Sequence, residues 1–169
     1  TILPYGTNTF SWNLDVPGIT VLDLHHGSDD ASLKTVIELL LSTICATRMY
    51  TAQSDFPPVV LVFDECQLFD WSRESYAYDI MVRGRKYGLA AWLSTQALSL
   101  INNPEILEQA SLRICFQPTR SEIPQIVKNY YLSNTKEREY WTTTLANLAR
   151  GQFLCKLNGQ LLLSEIPHQ

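Results

Sequence analysis

Residues 59–65 read Val-Val-Leu-Val-Phe-Asp-Glu, five apolar residues that stop at two adjacent carboxylates. Such a pair can divide the work of phosphoryl transfer. One acid holds the water shell of a Mg²⁺ ion, and the other polarises an attacking water. The plain alternative is a strand that ends in two solvated acids. A second candidate, Ser94-Thr95-Gln96, closes another apolar run, Leu89 to Leu93. A glutamine there carries donor and acceptor together and can meet a γ-phosphate or the lytic water. A polar strand end explains it equally simply. The third is Arg83-Gly84-Arg85-Lys86, just before that run. A guanidinium can stabilise charge on a transferring phosphoryl group, usually from a neighbouring subunit. A solvated basic helix end is the bland reading.

These residues need elements to hold them. Residues 1–18, with Pro4, Gly6, Pro17 and Gly18, read as a loop leading into the domain. Ile19-Thr-Val-Leu-Asp-Leu24 reads as a short buried strand. Ser28-Asp29-Asp30 offers N-cap oxygens. From Leu33 the apolar positions Val36, Ile37, Leu40, Leu41, Ile44 and Cys45 form a helical stripe. Phe56-Pro57-Pro58 stops that helix and sets up the strand at 59–63. Asp70 to Tyr87 reads as mostly helical, and Leu89 to Thr95 as a second apolar strand. A short helix from Pro104 to Ala110, a strand at 112–117 and helices at 121–131 and 135–149 follow. Asn158-Gly159 between Phe153–Leu157 and Leu161–Ile166 is a hairpin signal. Strand–helix alternation with a closing hairpin predicts an α/β fold, mainly parallel with an antiparallel edge.

At 169 residues the chain fits one domain, and 46% hydrophobic with 18% charged residues suits an ordinary globular protein. No apolar run is long enough for a membrane helix. Thr1-Ile-Leu-Pro4 lacks both an initiator Met and a basic leader, so it reads as a cut inside a longer protein. A net charge of −4 argues against a nucleic-acid coat protein. It leaves room for a ring whose basic groups line a pore. Cys45, Cys66, Cys115 and Cys155 are dispersed and read as free thiols in a reducing cytoplasm. Asp23, His25 and His26 read as a polar strand end rather than a metal site. Trp71, Tyr76 and Tyr78, like Tyr130, Tyr131, Tyr140 and Trp141, read as packing rather than base-stacking residues.

Taken together, the segments resemble the HerA/FtsK superfamily of ring-forming, DNA-pumping ATPases. The resemblance runs from about Ile19 to Ile166. It rests on residues 59–65, on Gly84-Arg-Lys-Tyr-Gly-Leu-Ala-Ala-Trp-Leu-Ser-Thr-Gln96 and on Asn103-Pro-Glu-Ile-Leu107. Leu112-Arg-Ile-Cys-Phe-Gln117 and Leu148-Ala-Arg-Gly-Gln-Phe153 complete it. It implies a RecA-like sheet, ATP with Mg²⁺ as cofactor, DNA as partner and a ring, hexameric, as the assembly. It also implies roles. Asp64 matches the Walker B acid associated with Mg²⁺ through water, Glu65 the catalytic base, and Gln96 the sensor. Arg85 is the first candidate for a finger acting in trans, Arg83 the second and Arg113 a distant third.

One departure limits the match. No Gly-x-x-x-x-Gly-Lys-Ser/Thr phosphate loop occurs anywhere in the chain. The expectation is therefore residues 19–169 as the C-terminal part of the motor domain, inactive on its own. The intact motor would work with a nuclease, restriction or secretion partner. The rival is a catalytically silent interaction module that keeps the motor fold.

Overall fold

The structure is a computed structural model that describes Leu14 and residues 17–24, 29–50, 58–101, 103–130 and 134–166. The chain divides into two compact units, residues 1–95 and 96–169. Its fold is mixed α/β.

The first unit begins with α1, Asp30–Arg48. The Asp29 carboxylate accepts the Ser32 N–H at 2.9 Å and so caps it. The predicted stripe is the buried one, with Ile37, Leu41, Ile44 and Cys45 inside. Two short strands follow, β1 (Val59–Phe63) and β2 (Leu89–Leu93), parallel and in register from Val59 opposite Leu89 to Phe63 opposite Leu93. Between them lies α2, Tyr76–Arg83, which starts later than the sequence suggests. Asp70 instead accepts the Ser72 N–H at 2.9 Å and its hydroxyl at 3.1 Å, and this local turn competes with helix. Ser75 then caps α2 by accepting from Tyr78 N–H. A 3-10 turn, Gly84–Tyr87, joins α2 to β2.

One expectation needs correction here. Ile19–Leu24 is neither strand nor buried: Ile19 is 94% and Val21 81% exposed. Along β1 and β2 only one face is covered among the described residues. Phe63 and Leu89 are buried, whereas Val60, Val62 and Trp92 are 51%, 64% and 66% exposed. Side chains alternate along a strand, so one face meets the core and the other does not.

The second unit carries α3 (Pro104–Gln109), β3 (Leu112–Cys115), α4 (Ile123–Asn129), α5 (Thr135–Ala146), β4 (Gln152–Leu157) and β5 (Gln160–Glu165). Its sheet is antiparallel in the order β3-β4-β5. Asn158 (φ 50°) and Gly159 (φ 82°) both take the left-handed conformation that a two-residue hairpin needs. Asn134 caps α5 by accepting from Glu137 N–H at 2.7 Å. Ile123, Ile126, Val127, Tyr130, Leu145, Leu148 and Leu154 form the core of this unit. The opposite sheet face leaves Leu112, Ile114 and Leu162 about half exposed. Among the described residues no helix is long and apolar enough to cross a membrane.

Candidate active site

Asp64 and Glu65 follow β1 directly, at the carboxyl end of a parallel pair, where α/β sheets hold ligands. Asp64 is exposed, and its Oδ1 accepts the Glu65 N–H at 3.1 Å. Glu65 is half-buried and left-handed, with φ 50° and ψ 48°. A non-glycine residue there costs about 1–2 kcal/mol, so surrounding contacts must enforce it. Those contacts are visible. Cys66 N–H donates to Ser94 O at 2.8 Å and Ser94 N–H to Phe63 O at 2.9 Å, so the two strand ends stay side by side past the ladder. Buried Trp71 donates its indole N–H to Cys66 O at 2.8 Å, and its ring packs with Phe63 and Phe69 beneath the turn. This is the packing role expected of Trp71.

Gln67 ties the two strand ends together chemically. Its Oε1 accepts from the Thr95 hydroxyl at 2.8 Å, and its Nε2 donates to the Glu65 carboxylate. Sequence reasoning missed Gln67. The only available signal was an amide two residues beyond the acids, with donor and acceptor to spend. The strand-end residue linked to Glu65 within the first unit is therefore Thr95. Gln96, the next residue, is exposed and opens the second unit. Burial pushes the neighbouring Cys66 thiol up to about 11, so it stays a thiol at neutral pH. Cys45, Cys115 and Cys155 are free as well.

Arg83, Arg85 and Lys86 line a shallow depression with Val82. Arg83 is paired with Asp79 one turn earlier on α2, and Lys86 lies over the Tyr87 ring at 4.8 Å. Among the described residues no hydrogen bond or ion pair engages the exposed Arg85 guanidinium. Gly84 is buried because α2 closes tightly on β2: an added Cβ would stand 3.0 Å from Leu89 Cβ. The parallel register puts this basic turn at the opening end of the strands. The carboxylates stand at the closing end, about 13 Å of strand away. Arg113 has a structural use, its Nη1 donating to the Asn129 carbonyl. His25, His26 and Tyr131 lie outside the described residues.

The donor set limits what could bind. Among the described residues no three His, Cys, Asp or Glu side chains converge on a metal position. A lone exposed carboxylate at Asp64 suits Mg²⁺ that keeps its waters and takes its remaining ligands from phosphate oxygens. It does not suit a cage built from protein alone.

No family model matches the chain, and no curated protein sequence matches it. Solved structures do. The crystal structure of B204, the DNA-packaging ATPase from Sulfolobus turreted icosahedral virus, has a TM-score of 0.61 at 19% identity, over 88% of this chain and 66% of that one. In fold the chain is similar to viral genome-packaging NTPases. The genome-packaging NTPase B204 from Sulfolobus turreted icosahedral virus 2 in complex with AMPPCP gives a TM-score of 0.57 at 18% identity, over 80% and 62%. Its complex with ATP-gammaS gives 0.58 at 19%, over 80% and 62%. The chain thus spans less than two thirds of the length of these neighbours, 62–66%. At such identities the likeness is one of fold.

Proposed function

We propose that residues 19–169, with 1–18 leading into them, are the C-terminal part of a HerA/FtsK-type ATPase domain. In the intact protein, ATP hydrolysis between subunits of a ring, hexameric by resemblance, drives DNA translocation or unwinding in the cytoplasm. A nuclease, restriction or secretion partner uses that motion. The observation that carries this reading is the parallel register, which ends β1 at Asp64 and Glu65 beside the polar end of β2. The fold likeness to packaging NTPases solved with nucleotide analogues supports it.

The roles follow from position. Asp64 meets the water shell of Mg²⁺, and the metal neutralises developing phosphate charge when bound. Glu65, held by Gln67, takes a proton from the attacking water. Gln96 is the sensor. Arg85 serves a neighbouring subunit, because its own carboxylates stand at the far end of the strands and, among the described residues, no partner holds its guanidinium. Arg83 is the second choice, already engaged by Asp79.

In the full-length protein Glu65→Gln is expected to cut ATP turnover by roughly 10²–10⁴-fold. Arg85→Ala is expected to cut it by about 10³–10⁵-fold, with unchanged circular dichroism in both variants. Near wild-type turnover in Glu65→Gln would remove the base assignment.

A second reading is a catalytically silent interaction module on the same fold. The apolar sheet face at Val60, Val62 and Trp92 favours it. The parent reading frame decides between them. A Gly-Lys-Ser/Thr loop upstream of Thr1 supports the motor, and none anywhere in the frame supports the silent module.

A further inference from the structure

We infer that the groove between α3 and α4 is a docking site for an acidic, extended segment of a partner protein. The groove lies wholly within the second unit and has a volume of about 450 Å³. Ile101, Pro104 and Leu107 line one side, and Pro124 lines the other. Gln125, Lys128 and Asn129 of α4 supply its polar groups. Ile123, Ile126, Val127 and Tyr130 turn the opposite face of that helix into the core. The groove-facing side chains are therefore spare to packing. Both walls are pinned. Glu122, where α4 begins, accepts the Ser99 hydroxyl at 2.6 Å and the Ser99 N–H at 3.2 Å, which holds the stretch before α3. At the other end Arg113 donates to Asn129 O and Lys156 to Tyr130 O. The groove is thus formed before a ligand arrives, as binding pockets usually are.

What lines the groove sets the chemistry of its occupant. The chain has a net charge of −4, yet the lining holds no carboxylate and a single charged group, Lys128. Among the described residues Lys128 has no ion pair. Asn129 Nδ2 is buried with no acceptor among the described residues. Buried donors are nearly always paired, so this one marks a place for an incoming oxygen. Rotation about the broad χ2 torsion of Asn129 presents the amide to a ligand without breaking a bond. A large apolar side chain over Ile101, Pro104, Leu107 and Pro124, with a carboxylate on Lys128 and backbone carbonyls on the Gln125 and Asn129 amides, uses every group on offer. Nucleic acid fits poorly. One cation cannot match a run of phosphates, and no aromatic ring lines the groove for bases to stack on. A groove open along one side also cannot enclose most of a small molecule's surface.

The test is an NMR titration of the isotope-labelled 169-residue chain with the capped peptide Glu-Asp-Leu-Phe-Glu-Asp. Saturable shifts are expected at Ile101, Leu107, Gln125, Lys128 and Asn129, with a Kd on the order of 10⁻⁴ M. Replacing Leu-Phe by Ala-Ala, or every acid by Lys, is expected to weaken binding by about tenfold. Lys128→Glu is expected to weaken the acidic peptide about tenfold and to strengthen the basic one by a similar factor, with the rest of the spectrum unchanged. No saturable shift at these residues overturns the inference. So does equal binding of the acidic and basic peptides, or unchanged affinity in Lys128→Glu. Oligothymidylate or phenylacetate moving the same residues at matching affinity also overturns it, because the site would then suit nucleic acid or a small molecule. Changes at these residues on diluting the chain alone would make a second copy the occupant, and overturn it too.

Discussion

At the scale of single residues, the structure separates Glu65 from Asp64. Both acids end the same strand, yet only Glu65 is left-handed and only its carboxylate is clamped by Gln67. Strain held by neighbours at one residue is a mark of preorganisation. Gln67 is therefore placed to position the Glu65 carboxylate. If it orients the base, Gln67→Ala in the full-length protein lowers kcat by about tenfold, the effect of losing roughly 1.4 kcal/mol. KM for ATP and the urea midpoint should hold. A matching rise in KM, or a shifted midpoint with kcat intact, would show that Gln67 only braces the turn.

At the scale of elements, close approach and burial set the tests. Gly84 lets α2 close onto β2, and a methyl group there must displace Leu89 Cβ, which is fixed to the backbone. Gly84→Ala is expected to cost about 1–3 kcal/mol by urea denaturation and to move the Arg85 turn with it. A loss under about 0.5 kcal/mol would mean that the turn gives way freely. Between α1 and α2, Glu38 Oε2 accepts the Tyr76 N–H at 2.9 Å, and burial raises its carboxyl above the ordinary 4.5. A raised carboxyl means that the folded state holds the proton more tightly than the unfolded one. Stability contributed at Glu38 is then present at low pH and falls as pH rises through 4.5 and above. Glu38→Gln should gain on the parent chain as pH climbs from about 4 to about 6 in urea melts, because it cannot ionise. The reverse trend would show that the carboxylate charge at the start of α2 outweighs its burial.

At the scale of the whole molecule, the isolated 169-residue chain is expected to show no ATP turnover and weak DNA binding. It holds the acids but no phosphate loop. Robust hydrolysis by this chain alone, measured as phosphate release, would refute that. Much of the fold was legible beforehand, since the α1 stripe, the strand before Asp64 and the Asn158-Gly159 turn are local patterns of period and turn chemistry. The late start of α2 was not, because the Asp70–Ser72 turn competes for the same backbone. Ile19–Leu24 carried a sound strand signal, but a strand needs a partner edge, and pairing is a non-local event that composition cannot report. By itself the sequence determined which residues could do chemistry, the paired acids and the basic turn, because residue type and apolar run length are written locally. Only the tertiary structure decided that Glu65 rather than Asp64 is the constrained acid. It alone decided that Gln67 reaches across to Thr95, and that Arg85 stands at the wrong end of the strands for its own carboxylates. Those facts depend on register and chain reversal, which arise only when distant segments meet.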